Sequence, residues 1–158
     1  MHFLILFFCA SVSLFAESIP ATQLPPGVKP LAYELAFQIN PRKQSFSGKA
    51  KIKLQLDQKT KQFWMHGQNL KIQKAELRSA GHTQTVTYQQ VSPEGLVLIQ
   101  FEKYLEPGEA SLSIDYQADF QKDLSGLYVV SQNKYSYAYS QFEPIVARTC
   151  FPSFDEPR

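Results

Sequence analysis

The stretch Phe46-Ser47-Gly48-Lys49-Ala50-Lys51-Ile52-Lys53-Leu54-Gln55-Leu56 alternates with period two. Phe46, Gly48, Ala50, Ile52, Leu54 and Leu56 form one set, and Lys49, Lys51, Lys53 and Gln55 fill the gaps. Successive side chains on a strand point to opposite faces, so the segment predicts a strand with one dry and one wet face. Lysines on the wet face also oppose edge-to-edge pairing. The same pattern recurs on both sides. Leu31, Tyr33, Leu35, Phe37 and Ile39 alternate around Glu34 and Gln38, and Ala110, Leu112, Ile114, Tyr116, Ala118 and Phe120 alternate with polar residues. Shorter strands are predicted over Gln62 to Met65, Leu70 to Leu77, Thr85 to Gln90 and Leu96 to Phe101. Parity shifts between Ile72 and Ala75, which predicts a bulge. Leu96 to Phe101 is nearly continuous in apolar residues, the pattern of a central strand buried on both faces.

The breaks between these segments are chemically typed. Ser92-Pro93-Glu94-Gly95 suits a type I turn and Glu106-Pro107-Gly108-Glu109 a type II turn. No stretch keeps helical periodicity over three turns. Eight or nine short strands separated by turn signals predict an all-β fold, an antiparallel β-sandwich or related open sheet. The 158 residues suit one domain, and 44% hydrophobic residues are enough to fill a core. A formal charge of +2 with dispersed lysines gives no basic patch, which argues against nucleic acid and an anionic membrane surface as partners.

The amino terminus differs from the rest. Phe3 to Ala16 is almost wholly apolar, with small residues Ala10, Ser11 and Ser13, and the first charged side chain is Glu17. This reads as a secretory signal peptide over residues 1–16, with an uncleaved anchor or a buried strand as alternatives. The run is short of the roughly 20 apolar residues that span a bilayer. Residues 17–29, with Pro25-Pro26-Gly27, form an extended lead-in, and 30–158 the β domain. Cleavage leaves Cys150 as the one cysteine, so the fold is held by its core rather than by a disulfide. Among Phe151, Pro152 and Phe154, Cys150 is expected to be buried and inert. A signal peptide fits a periplasm, an outer surface or an endomembrane lumen. The lack of a disulfide pair and of any Asn-x-Ser/Thr sequon leans toward a bacterial periplasm.

Tyr135, Tyr137 and Tyr139 share one parity near the end of the chain. If their strand continues, Gln141 and Glu143 fall on the same face, until Pro144 ends or redirects it. This row is either a binding wall ending in an amide and a carboxylate, or a cross-strand aromatic ladder with two solvated polar residues at its end.

Ser140-Gln141-Phe142-Glu143-Pro144, Ala147-Arg148 and Phe151-Pro152-Ser153-Phe154-Asp155-Glu156-Pro157 together resemble the N-terminal domain of M1-family zinc aminopeptidases. That family commonly shows Thr-Gln-x-Glu-Pro, Ala-Arg and Phe-Pro-Cys-Phe-Asp-Glu-Pro at this spacing. Pro30 to Leu35, Phe46-Ser47-Gly48, His66 to Ile72 and Ser125-Gly126-Leu127-Tyr128 match in the family's order, so the resemblance covers roughly residues 24 to 158. Ser140 stands where threonine is usual. Ser153 stands where cysteine is usual, with Cys150 three places earlier.

The resemblance implies a saddle-like β domain that normally runs on for several strands beyond this block, so the chain is expected to lack the last strands. It also implies a catalytic domain elsewhere. There, a zinc held by a His-Glu-x-x-His helix and a later glutamate activates water against the first peptide bond. The N-terminal domain contributes one carboxylate to the substrate's free amine. By motif match that residue is Glu143, with Gln141 lining the pocket for the first side chain. No His-Glu-x-x-His is present in these residues. His2, His66 and His82 are isolated, so the chain is expected to hold no catalytic residue and no metal. Solvated or capping roles are expected for His66 and His82. Asp155 and Glu156, neighbours on an extended chain, point apart and read as a structural corner. Zinc is expected only for a complete parent enzyme, and this chain alone is expected to be inactive. The competing reading is a secreted, non-catalytic β-sandwich binding or scaffold module that uses the tyrosine face.

Overall fold

A computed structural model describes residues 19–20 and 23–154. The signal peptide expected over 1–16 and the corner expected at Asp155 and Glu156 lie outside the described residues. Among the described residues nine strands follow in order: β1 (Val28–Gln38), β2 (Ser45–Leu56), β3 (Thr60–His66), β4 (Lys71–Ser79), β5 (His82–Gln90), β6 (Leu96–Leu105), β7 (Gly108–Asp119), β8 (Gly126–Gln132) and β9 (Tyr135–Gln141). A short 3-10 helix, Val146–Thr149, comes after them. Seven strands form one sheet in the order β1-β2-β7-β4-β5-β6-β3, and β8 and β9 form a separate hairpin. All these pairings are antiparallel. The all-β antiparallel expectation therefore holds.

The sheet curls because β5 serves two partners. Its start pairs with the end of β4, from Glu76↔Thr85 to Ser79↔His82. Its end pairs with β6, from Val86↔Phe101 to Gln90↔Val97. The β1-β2-β7-β4 part thus faces the β5-β6-β3 part, and the result is a half-barrel. Ile52, Leu54, Leu77, Leu112 and Ile114 from one layer share a core with Phe63, Met65, Val97, Ile99 and Phe101 from the other. Removing these side chains from water drives the fold, at about 1.5–3 kcal/mol for each fully buried large aliphatic or aromatic side chain.

Several sequence expectations are met in detail. Along β2 the apolar set is buried, while Lys49, Lys51 and Lys53 are exposed. The bulge expected between Ile72 and Ala75 appears as a register shift between Ile72 and Lys74. The Ser92–Gly95 turn closes with Gly95 N donating to Ser92 O at 3.1 Å.

Three expectations are corrected. In β6 the residues Val97, Ile99 and Phe101 are buried, but Leu96 and Leu98 are only half-buried and Gln100 is exposed. β6 therefore has one core face, because the curl brings a second layer against only one side of the sheet. The apolar row of β1 is not dry: Leu31, Tyr33 and Phe37 are exposed, as is Ile39 just past its end. Tyr33 lies opposite the buried Ile52, so the row continues the core face. However, β1 is an edge strand that the opposite layer does not reach. The third correction is β8. No strand is predicted over 126–132, although Leu127 to Val130 is a continuous apolar run like that of 96–101. Tertiary structure makes it the partner of the tyrosine strand.

The segment after the 3-10 helix reaches both edges of the curled sheet. Ser153 exchanges two backbone hydrogen bonds of 2.8 Å with His66 on β3. Phe154 N donates to the Tyr33 hydroxyl on β1 at 3.0 Å.

Candidate functional site

β9 ends at Gln141, so Glu143 lies beyond the strand rather than on its tyrosine face. Tyr135, Tyr137, Tyr139 and Gln141 do share one exposed face. The Tyr139 ring stacks on Tyr128 across the hairpin at 5.9 Å, and the residues opposite Tyr137 and Tyr135 are Val130 and Gln132. The row is therefore a cross-strand aromatic pair extended by two exposed tyrosines.

The chain leaves the strand at Phe142, which turns inward. Its ring meets Phe151 edge-on at 5.8 Å, and its carbonyl accepts Val146 N at 3.0 Å. Glu143, Pro144 and Ile145 form the outward part of this turn and are exposed, and the Glu143–Pro144 peptide is cis. A solvent-facing carboxylate thus sits between two fixed points, the end of β9 and the 3-10 helix.

The helix is fastened from below. Arg148 is 8% exposed, and its Nη1 donates to Glu94 O at 3.0 Å. The Arg148 carbonyl accepts Gln68 N at 2.8 Å. The Tyr116 hydroxyl, on β7, donates to Cys150 O at 2.8 Å. Cys150 is buried and free, and burial pushes its thiol up to about 12. The thiol is buried, as expected. Alternation alone offers no reason to single out Tyr116, which reads there as one more dry-face residue. A hydroxyl in an otherwise aliphatic set is the signal that could have drawn notice, because a buried phenol needs a partner.

The two histidines lie apart. His82 opens β5 and is exposed, as expected. His66 is a correction: it is buried at the end of β3, because Ser153 pairs on its outer edge. Among the described residues no three His, Cys, Asp or Glu side chains group so as to hold a metal ion, so they do not fit a zinc site. A cavity of about 450 Å³ is lined by Thr149 with Gln68, Asn69, Asp119, Gln121 and Asp123 among others, but by neither Gln141 nor Glu143.

Comparison with known proteins agrees with this fold and motif order. Residues 29–158 match the Peptidase M1 N-terminal domain family. The chain is 28% identical over 145 residues to endoplasmic reticulum aminopeptidase 1 of Rattus norvegicus, covering 85% of this chain and 16% of the relative. It is 30% identical over 142 residues to aminopeptidase M1-C of Oryza sativa subsp. japonica, again 85% against 16%. It is 29% identical over 143 residues to aminopeptidase A of Gloydius brevicauda, 85% against 15%. The match thus spans only 15–16% of the length of these relatives. With the match running from β1 through the motif-bearing turn, the chain belongs to the M1 peptidase N-terminal domain family.

Proposed function

We propose that this domain anchors the free amine of a peptide substrate for an M1 zinc aminopeptidase, with Glu143 as the amine ligand and Gln141 lining the pocket for the first side chain. The observation that carries the reading is the exposed Glu143 carboxylate on a turn held between β9 and a fastened 3-10 helix, in a chain of this family. A peptide's terminal amine has a pKa of roughly 7.7–8.0 and is largely cationic near neutral pH. A fixed carboxylate accepts a charge-assisted hydrogen bond from it, worth about 1.5–3 kcal/mol. Holding the amine at a set distance from the reacting centre restricts cleavage to the terminal bond. That is a positioning role rather than an acid–base one.

Zinc and the attack on the peptide bond belong, in this reading, to a catalytic domain outside the described residues, which offer no metal site of their own. The partners are that domain and peptide N-termini. Residues 1–16 direct secretion, to a bacterial periplasm by preference. The apolar run and the absence of a sequon support this. The second reading, a non-catalytic binding or scaffold module, draws on the exposed faces of Tyr135, Tyr137 and Tyr139.

In the enzyme that carries this domain, Glu143→Ala raises KM for aminoacyl substrates by roughly 10- to 100-fold, the size of a lost charge-assisted bond. It also weakens discrimination against N-acetylated peptides. Unchanged kinetics remove Glu143 from the site. The 158-residue chain is expected to show no peptidase activity with added zinc, and metal-dependent turnover by the pure chain overturns that assignment.

A further inference from the structure

We propose that Tyr116 and Arg148 are positioning residues for Glu143, clamping its segment to both layers of the curled sheet; the catalytic meaning of this rests on the amine-anchor reading above. The segment from Phe142 to Phe151 belongs to no sheet. Its internal order comes from Val146 N donating to Phe142 O and the Thr149 hydroxyl donating to Val146 O at 2.8 Å. Such a short unit does not fix its own place on the domain. Two buried side chains do.

Tyr116 stands toward the end of β7, between Gly48 on β2 and Ile72 on β4, and is 0% exposed. Gly48 leaves the room for its ring, since a Cβ built there falls on the Tyr116 Cζ and hydroxyl. A phenylalanine would fill the same space. The hydroxyl adds the bond to Cys150 O, just past the helix. Arg148 works from the opposite layer. Its guanidinium reaches Glu94 O in the turn between β5 and β6, while Gln68, after β3, holds its carbonyl. The two turns are themselves tied by Gly67 N donating to Gly95 O at 2.8 Å and Gln68 Nε2 to Pro93 O at 2.8 Å. The Ala147-Arg148 pair, a motif to which amine binding assigns no task, thereby acquires one. A core phenol and a buried cation meet one segment from two sides, and that segment carries the exposed carboxylate.

The clamp is tested on the whole chain by amide hydrogen exchange. Tyr116→Phe is expected to speed exchange of the Val146, Cys150 and Phe151 amides about tenfold or more, as a lost buried bond opens the segment locally. The β2 and β7 amides that pair with each other should change less. Arg148→Lys serves the same purpose if Tyr116→Phe fails to fold. Equal change across the sheet and the segment, or none in the segment, overturns the clamp.

The catalytic consequence is read in the enzyme carrying the domain. Tyr116→Phe should raise KM for free-amine substrates several-fold with kcat little changed, and should add nothing further in a Glu143→Ala background. If Glu143→Ala raises KM and Tyr116→Phe does not, the positioning role is lost and the amine anchor stands. If Glu143→Ala itself leaves KM unchanged, the amine anchor fails, whatever exchange shows of the clamp.

Discussion

Cys150 and Tyr116 share a buried corner in which both acids are held neutral. Burial pushes the Cys150 thiol from its ordinary value of 9.0 up to about 12. The Tyr116 phenol is likewise raised, by burial first and then by the neighbouring Cys150. A raised pKa means that the folded chain keeps its proton where the unfolded chain loses it. The stabilising contribution is therefore complete below the unfolded thiol value and is lost as pH rises through the folded one. Stability measured by urea unfolding should fall between pH 9 and 12, and Cys150→Ala should flatten part of that slope. A slope identical in the variant would remove the thiol as its source. At pH 8 the native thiol should resist a disulfide reagent and react once the chain is unfolded.

Strands β2 and β7 pair along their whole length, from Ser45↔Asp119 to Leu56↔Gly108. The buried faces of Ile52, Leu54, Leu112 and Ile114 meet the other layer, while Lys49 and Asp115 pair across the outer face at 3.1 Å. That ion pair is exposed and adds little, since such pairs are typically worth about 0.2–1 kcal/mol. Gly48 on β2 leaves no room for a side chain, because any Cβ there meets the Tyr116 ring. Gly48→Ala should cost about 1–3 kcal/mol by forcing the ring or the strand aside. Thermal unfolding of the variant against the native chain measures this directly, and an unchanged Tm would mean that the corner is looser than the packing implies. Replacing Lys49 by alanine, on the opposite face of the same strand, should lie within the small surface range.

At the scale of the whole molecule, the curl closes over the core but leaves β1 open. Leu31 on the edge strand β1 is 54% exposed, and Ile39, just past its end, is 42% exposed. Exposed apolar side chains along an edge strand favour association. Sedimentation of the native chain should therefore depend on concentration, and Leu31→Lys with Ile39→Lys should abolish that dependence. A native chain that stays a single monomeric species at high concentration would show that the row does not drive association. Among the described residues no helix is long and apolar enough to cross a membrane.

Period-two alternation was legible wherever one face of a strand is dry and the other wet, which is why β2 and β7 could be read from Phe46 to Leu56 and from Ala110 to Ala118. The motif order that marks the family was also local, carried by short runs such as Gln141 to Pro144. What the alternation does not encode is which dry face finds a cover. The β1 row has the same pattern as β2, yet it is exposed, because only the curl at β5 decides how far the second layer reaches. The 126–132 segment offered no periodicity and became a strand by pairing with β9. The turn bearing Glu143 was visible as residues, whereas its fastening was not. Tyr116 lies 34 residues from Cys150 and Arg148 lies 54 from Glu94, and contacts that distant arise only when the layers close on one another.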